Sequence, residues 1–279
     1  MSVQIQEFSP GKDLRPYVEF FWEGQFNLSG TTTLYQKVVP NGFVELVIHP
    51  SDSHCHLPIG DGWSSSPDYT IIGLYTRPYE VQFPHYVNVF GIRFKPEGIY
   101  NLFGIPASVF SEKYEDMELV LGREFKEYCE RLRETPHVGQ RLKLTTNFLL
   151  KKLEQNSAEI TYLNRAAEMI RRSEGFNKID DLPDKVYISQ RQLEREFNKK
   201  IGITPKRYMR IARLNEVHRK LEEEQELELT KIAFDCGYAD QAHFIRDFKS
   251  FMGVNPTLFT KNRHQFIVNS QSAKPYPIK

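Results

Sequence analysis

Two arginines at equivalent places in the chain carry the clearest chemical signal in this sequence. Arg195 lies in YISQRQLEREFNKKIGITPKRY (187–208), and Arg246 lies in YADQAHFIRDFKSFMGVNPTLF (238–259). The two segments superimpose without a gap at an offset of 51 residues. A guanidinium has a fixed fork of donors that can bind a phosphate, or the O6 and N7 atoms of guanine, in bidentate fashion. The repetition indicates that both arginines serve the same purpose.

The repeat also aligns residues that begin, end and bury helices. The matched pairs are Tyr187 with Tyr238, Ser189 with Asp240, Leu193 with Phe244, Arg195 with Arg246, Phe197 with Phe248, Gly202 with Gly253, and Pro205 with Pro256. Ser189 and Asp240 can cap a helix N-terminus. Gly202 and Gly253 can end the helix in the left-handed conformation. Helical periodicity predicts an apolar core face in each copy and an opposite polar face that is free to contact a partner.

A shorter helical stretch and a tight turn precede each capped helix, at Leu182 to Tyr187 and at Thr230 to Tyr238. A short helix, a turn and a second helix with a polar outer face form the helix-turn-helix pattern. Between the two units, Pro205 can open a helix of about 18 residues, roughly 27 Å long. Such a rod could hold two recognition helices near one DNA turn apart, roughly 34 Å.

Composition favours two domains and an anionic partner for the second. The chain has 279 residues, of which 40% are hydrophobic, enough to bury two cores. Residues 1–159 hold 15 Lys and Arg against 20 Asp and Glu, whereas residues 160–279 hold 22 against 16. The basic C-terminal part favours an anionic partner.

The cysteines and the apolar runs bear on location. Cys55, Cys129 and Cys236 are scattered without CxxC spacing, which argues against a disulfide framework or a zinc ribbon and favours a reducing compartment. No apolar run reaches the length of a membrane span, and the first residues lack a signal-peptide pattern. We therefore expect a cytoplasmic protein without a membrane partner.

Short alternating apolar runs with turn signals between them, from Tyr17 to about Phe94, predict an all-β barrel or sandwich. After Pro96, residues 119–133 and 141–153 have the periodicity of amphipathic helices. A polar break at 154–157 separates this part from a purely helical pattern. We predict an α+β multidomain protein with a β-rich domain at 1–157, an all-α domain at 158–266 and a flexible tail at 267–279.

Residues from about 160 to 264 resemble the DNA-binding domain of the AraC/XylS family of transcription regulators. The stretch KIAFDCGYADQAHFIRDFKSFMGVNPTLF (231–259) is similar to the family's signature. The resemblance implies two recognition helices in successive major-groove segments of double-stranded DNA. At the matching positions it implies DNA contacts by Arg191, Glu194, Arg195, Gln241, His243, Ile245 and Arg246. The helical wheel adds Asn198 and Lys249 to the outer faces of the two helices.

The first unit departs from the family pattern at one place. Where the family usually has alanine after the leucine of the first short helix, this chain has Pro183, close to Asp180, Asp181 and Asp184. Proline is tolerated only in the first turn of a helix, so we expect a short helix. Because its acidic start would repel phosphate, we expect the first unit to contribute less affinity than the second.

The N-terminal part resembles sensor-type domains of AraC-like regulators in LRPYVEFFW (14–22), VVPNGFVELVI (38–48) and VNVFGIRFKPEGIYNLFGIPASVF (87–110). The resemblance implies a cupin-like β-barrel with trailing helices that binds a small effector or mediates dimerisation. Five residues are candidates for an effector pocket, although aromatic residues in strands often belong to a plain core: Trp22, Glu45, Trp63, Tyr75 and Arg93. Four apolar residues could either cover the barrel or form a dimer seam: Leu142, Phe148, Leu149 and Leu153.

Imidazole and thiolate groups are concentrated at His49, His54, Cys55 and His56, which suggests a zinc or copper site. Neighbouring strand residues point to opposite faces, however, and no conventional ligand spacing occurs. We expect no metal and no cofactor.

We predict a sequence-specific DNA-binding regulator that is not an enzyme, because no Walker A loop, nucleophile elbow or HExxH motif is present. By family habit we expect an activator that contacts RNA polymerase and forms a homodimer, under the control of an effector or of dimerisation. Three alternatives remain at this point: a cupin-type metal-dependent enzyme fused to a DNA-binding module, a reactive-cysteine repair protein, and a dimerising adaptor that senses nothing.

Overall fold

A computed structural model describes residues 2–27, 34–156, 160–176, 181–223 and 229–267 of the chain. The expectations for Asp180 and for the tail beyond 267 lie outside these residues. The strands are β1 Ser2–Phe8, β2 Val18–Asn27, β3 Leu34–Val38, β4 Val44–Ile48, β5 His56–Ile59, β6 Gly62–Ser65, β7 Tyr69–Ile72, β8 Tyr79–Phe83, β9 Tyr86–Phe94, β10 Tyr114–Asp116 and β11 Phe266–Ile267. The helices are α1 Pro96–Phe103, α2 Met117–Leu121, α3 Arg123–Arg133, α4 Val138–Gln155, α5 Tyr162–Arg172, α6 Asp181–Val186, α7 Gln190–Glu196, α8 Pro205–Glu223, α9 Leu229–Asp235, α10 Gln241–Met252 and α11 Pro256–Lys261.

The N-terminal strands form two sheets. One has the order β1-β2-β9-β4-β7-β10, and the other has the order β11-β3-β8-β5-β6. Alternate residues of both sheets, among them Phe26, Leu57 and Phe83, form one apolar cluster between them. The predicted β-rich domain is confirmed. The described strands stay in two sheets rather than closing into one barrel, because no pairing joins β1 or β10 to the second sheet.

Helices α1, α3 and α4 cover the outer face of the six-stranded sheet. Leu142, Phe148 and Leu149 are buried in that layer, and the ring of Phe148 stacks on Tyr128 with centroids 4.2 Å apart. Leu153 is partly buried against the same cluster. These side chains therefore cover the sheet, as one of the two interpretations expected, and are not available for a dimer seam. Among the described residues, no helix is both long enough and apolar enough to cross a bilayer.

The helical domain has a single core that both repeat copies share. Leu193 and Phe197 bury their side chains there, and so do Phe244, Phe248 and Phe251. The predicted all-α domain and its inward faces are therefore confirmed.

A buried ion pair joins the two domains. Glu97 of α1 is 1% exposed and receives hydrogen bonds from both terminal nitrogens of Arg171 of α5, with Nη1 3.1 Å from Oε2. Arg171 Nη1 also donates to the hydroxyl of Tyr208 at 2.8 Å. Burial raises the pKa of Tyr208, so its hydroxyl stays protonated. One carboxylate thus fixes the first helix of the helical domain and the start of α8 against the β-rich domain.

The end of the helical domain returns to the β-rich domain. β11 pairs in parallel with β3, and the backbone N–H of Val39 donates to the carbonyl of Ile267 at 3.3 Å. The ring of Phe266 packs on Phe259 of α11 with centroids 4.8 Å apart. Val39 in turn belongs to the core of the helical domain. The helical domain is therefore attached to the N-terminal domain at both of its ends, to α1 through Arg171 and to β3 through β11.

The Glu97–Arg171 pair should be a large contributor to stability that depends on both partners. In Glu97→Ala, a guanidinium would remain buried without its counter-charge, so the free energy of unfolding should fall by about 3 kcal/mol or more. The matched control is Glu168→Ala, which removes an exposed pair with Arg172 and should cost less than about 0.5 kcal/mol. Urea unfolding measures both, and equal losses would contradict the assignment.

Acid should destabilise the helical core through His218. This residue of α8 lies beside the rings of Phe248 and Phe259, and burial lowers its pKa from 6.5 to about 3. The unfolded chain takes up this proton near pH 6.5 and the folded chain only near pH 3. Stability is therefore complete above pH 6.5 and is lost as the pH falls, by about 2 kcal/mol at pH 5 from this group alone.

Urea unfolding between pH 8 and pH 5 checks this expectation. His218→Leu keeps the volume similar but has no proton to gain, so its stability should fall less steeply with acidification. A variant with the same pH dependence as the wild type would show that another group is responsible.

Candidate nucleic-acid interface

The two repeat copies form equivalent capped helices, as predicted. Ser189 Oγ accepts from the backbone N–H of Gln192 at 3.2 Å, and Asp240 Oδ1 accepts from that of His243 at 2.6 Å. At the other ends, Gly202 has φ 98° and Gly253 has φ 72°. The side-chain caps satisfy amides that have no partner inside the helix. Each copy of the repeat therefore begins its helix with a side-chain cap and is followed by a left-handed glycine.

The outer faces of these helices are open. Of the nine predicted DNA-contacting residues, Ile245 is half-buried against the core. The other eight are exposed: Arg191, Glu194, Arg195, Asn198, Gln241, His243, Arg246 and Lys249. Arg195 is 70% exposed, with Nε 3.6 Å from Glu196 Oε1. The side chain of Asn198 donates to the carbonyl of Glu194 at 3.0 Å. The structure thus leaves the arginines of both helices accessible to a partner.

A buried carboxylate orients α10. Asp247 is 5% exposed and accepts from Arg210 Nε of α8 at 2.7 Å and from the Tyr238 hydroxyl at 3.1 Å. Burial, together with the Asp247 charge, raises the pKa of Tyr238. α8 has 19 residues and is about 29 Å long, close to the rod that the sequence predicts. Asp247 points inward, while Arg246 and Lys249 of the same helix are exposed.

The two turns do not superimpose as the sequence repeat suggests. In each turn one N–H bonds to the carbonyl five residues earlier: Ile188 to Pro183 at 3.1 Å, and Tyr238 to Ala233 at 3.0 Å. The left-handed residue just before is Tyr187 with φ 58° in the first unit and Gly237 with φ 68° in the second. Tyr187 is therefore equivalent to Gly237.

The pairing of Tyr187 with Tyr238 is accordingly wrong. The second turn has one residue more, Ala239, before its cap, so the offset is 50 residues up to the turn and 51 after it. Tyr187 is 90% exposed, whereas Tyr238 is 3% exposed. Ile188, which packs against the core, takes the place of Tyr238.

The first recognition helix differs from the second in its C-terminal half. α7 ends at Glu196 and continues as a π-helical turn, Phe197–Ile201, whereas α10 is a regular helix of 12 residues. The π-helical turn rests on the β-rich domain, where Ser108 Oγ donates to the carbonyl of Lys199 at 2.6 Å. Lys200 Nζ lies 4.6 Å from the centre of the Tyr100 ring. The first unit is thus in direct contact with the N-terminal domain.

Three of the five candidate effector residues come together between the sheets. Trp22 Nε1 donates to Glu45 Oε2 at 3.0 Å, and Arg93 Nε donates to Glu45 Oε1 at 2.5 Å. Arg93 and Glu45 are 3% and 7% exposed, and the Arg93 guanidinium lies 4.3 Å from the centre of the Phe20 ring. All polar groups named here are paired within the chain.

The other two candidates lie apart from one another. Tyr75 packs on Tyr79, with centroids 4.6 Å apart. Burial raises the pKa of Tyr79, and the nearby charge of Glu45 raises it further. Tyr79 therefore lies between Tyr75 and the charged cluster, which leaves Tyr75 at the margin of that cluster. Trp63 lies on the edge strand β6 against Tyr35 and does not join the cluster.

The histidine and cysteine cluster has other partners. His54 Nε2 lies 2.6 Å from Asp68 Oδ1, and His49 Nε2 accepts from the backbone N–H of Cys55 at 3.3 Å. In the part of the chain that the structure describes, no three His, Cys, Asp or Glu side chains are placed to hold a metal ion. Burial raises the pKa of Cys55 to about 12, which keeps the thiol protonated and unreactive.

Comparisons with known proteins match the two parts of the chain separately. Residues 6–116 match a family model described as a domain of unknown function, DUF6597, and residues 182–262 match one described as a helix-turn-helix domain. An HTH-type transcriptional activator RhaS of Escherichia coli O1:K1 is 33% identical over 88 residues, 32% of this chain and 31% of that protein. RhaS of E. coli O157:H7 (strain EC4115) is 32% identical over the same length. The chain thus matches about a third of the length of these curated relatives.

Solved structures give a fainter similarity. ToxT from Vibrio cholerae O395 is 15% identical with a TM-score of 0.47, covering 86% of this chain and 97% of that one. A probable AraC family transcriptional regulator from Rhodopseudomonas palustris CGA009 is 24% identical with a TM-score of 0.33, covering 36% of this chain and 94% of that one.

The contact between the π-helical turn and the β-rich domain can be tested at Gly202. A Cβ there would lie 2.1 Å from Ser111 Oγ and 2.9 Å from Ser108 Cα, whereas a Cβ at Gly253 would meet nothing within 4 Å. Gly202→Ala and Gly253→Ala share the cost of a left-handed alanine, about 1–2 kcal/mol. We expect Gly202→Ala to lose a further 1–3 kcal/mol or so, from overpacking, in urea unfolding. Equal losses would mean that the two domains do not touch at this point.

Proposed function

This chain belongs to the AraC/XylS family of transcription regulators through its helix-turn-helix domain, and we propose that both of its recognition helices bind promoter DNA. One observation carries the proposal. Two equivalent capped helices bury their aromatic faces in one shared core and leave their arginine-bearing faces exposed. A lone exposed arginine would be an ordinary solvated charge, but the same exposed position in both copies favours a common partner.

The side chains available on these faces suit direct reading of bases. Arg195 and Arg246 can each donate two hydrogen bonds to guanine, and Gln241 can pair with adenine. Lys249 and Arg191 suit phosphate oxygens. We assign His243 to the backbone, because it lies at the side of the helix.

The second unit is proposed to supply more of the affinity than the first. α10 is longer than α7 and is fixed to α8 through Asp247. Pro183 lies in the first turn of the short α6, which begins with Asp181 and also carries Asp184. These carboxylates lower the local attraction for phosphate.

The N-terminal domain is proposed to control the DNA-binding domain. The support is a line of contacts from the Glu45–Arg93 cluster to α8. The Arg93 guanidinium lies 5.6 Å from the centre of the Phe43 ring, and a Cβ at the neighbouring Gly42 would lie 3.2 Å from Ile211. An effector that moved Arg93, with Trp22 and Glu45, would therefore displace groups that touch the rod. Dimerisation and contact with RNA polymerase remain proposals that rest on the family.

Activation is the proposed outcome of binding, since the relatives from E. coli are named transcriptional activators.

The alternative to control by an effector is a dimerising adaptor that binds no effector. Thermal unfolding against a panel of metabolites separates the two, because a ligand that binds the folded state raises its melting temperature. Silence across the panel would favour the adaptor.

Arg246→Ala and Arg195→Ala should each weaken binding to a duplex selected from a random library by about 1–3 kcal/mol. Each variant should also lose its preference for guanine at the one base pair that the missing arginine reads, and should keep its preference at the other base pairs. The control is Arg123→Ala, since that side chain is 91% exposed on α3 of the N-terminal domain. Gel-shift titration at one salt concentration measures all three. Wild-type affinity in both recognition-helix variants would overturn the proposed function.

A further inference from the structure

Tyr187 occupies a backbone conformation that does not suit its side chain. Its φ of 58° lies in the left-handed region, where a bulky residue is an outlier. Its side chain is 90% exposed, so the ring packs against almost nothing in the described part of the chain. The fold therefore bears a local strain at this position and obtains no packing in return.

The equivalent position of the second unit carries glycine, the residue that adopts this left-handed conformation without strain. Gly237 adopts the same conformation, and a Cβ there would lie 3.0 Å from the ring of Phe176. Gly237 is exposed, but a Cβ added there would be in tight contact with that ring. The first turn is open, so glycine would fit at 187 equally well and would remove the strain. A tyrosine in this place points to a partner outside the chain.

The position of the turn indicates which partner this is. Tyr187 lies two residues before the cap Ser189 and four before Arg191, which is itself four before Arg195. The exposed ring of Tyr187 therefore lies in the turn that leads into the N-terminal end of α7. The N-terminal residues of a recognition helix lie deepest in the major groove. A residue just ahead of them would lie near the sugar–phosphate backbone of the DNA strand at the edge of the groove.

The chemistry of tyrosine suits that strand. Tyrosine hydroxyls are among the groups that donate to phosphate oxygens and fix the register of a protein on a duplex. Asp184 and Glu194 near this turn are exposed carboxylates that repel phosphate. A neutral hydroxyl on a rigid ring can still donate a hydrogen bond there.

We propose that Tyr187 contacts the DNA sugar–phosphate backbone at the edge of the first major-groove segment and sets the register of α7. This inference rests on the proposed function. It assigns to the first unit an uncharged anchor that the second unit lacks, because Gly237 has no side chain.

The test uses the full-length protein and a duplex that the wild type selects from a random library. Tyr187→Phe removes only the hydroxyl and should weaken binding about three- to tenfold. The slope of log affinity against log salt should not change, because no cation is lost. Tyr187→Gly should weaken binding at least as much while its melting temperature stays equal to or above that of the wild type. Tyr35→Phe is the control, since Tyr35 is also an exposed tyrosine, 56% exposed, but lies on β3 of the N-terminal domain.

Each other result overturns the inference. Affinity within twofold of the wild type in both Tyr187 variants would exclude the contact, and Arg246→Ala measured alongside would show whether the proposed function survives. A lower melting temperature for Tyr187→Gly would mean that the ring supports the fold. A flatter salt dependence for Tyr187→Phe would mean that the hydroxyl acts by moving a charged group. If the wild type selected no duplex, the inference and the proposed function would fall together.

Discussion

The position of the helical domain depends on one buried carboxylate. Glu97 is enclosed with Arg171, which in turn donates to Tyr208. Removing two charges from water is costly, and only their mutual attraction and full hydrogen bonding offset it. The three groups come from α1, α5 and α8, so the pair tolerates little relative movement of these helices. Tyr208 lies in the first turn of α8, and the direction of the rod is therefore set from the N-terminal domain.

The rod passes this constraint on to both recognition helices. Arg210, two residues after Tyr208, holds Asp247 of α10. On the other side, Gly202 connects the π-helical turn after α7 to the start of α8, and Ser108 holds that turn. The buried carboxylates of Glu97 and Asp247, together with the hydrogen bond from Ser108, therefore determine the relative placement of the two exposed faces.

The sequence predicts those parts of the structure that follow local rules. Caps at Ser189 and Asp240, stops at Gly202 and Gly253, and aromatic spacing all depend on neighbours within one helix. The equivalence of Tyr187 with Gly237 is missed because a tyrosine in a left-handed turn breaks the rule from which the alignment starts. The Glu97–Arg171 pair joins residues 74 positions apart, and β11 pairs with a strand more than 200 residues earlier. No local pattern encodes either contact.

The two units that look alike in sequence are placed differently in the molecule. The second has a regular recognition helix anchored inside the helical domain by Asp247. The first has a proline in its short helix, a strained tyrosine in its turn and a π-helical turn that rests on Ser108 of the neighbouring domain. Any displacement of the 107–110 segment reaches the first recognition helix directly, whereas it reaches the second only through the rod. The repeat thus presents an exposed arginine-bearing face in both copies, and among the described residues the turn after α7 ties the first copy to the N-terminal domain.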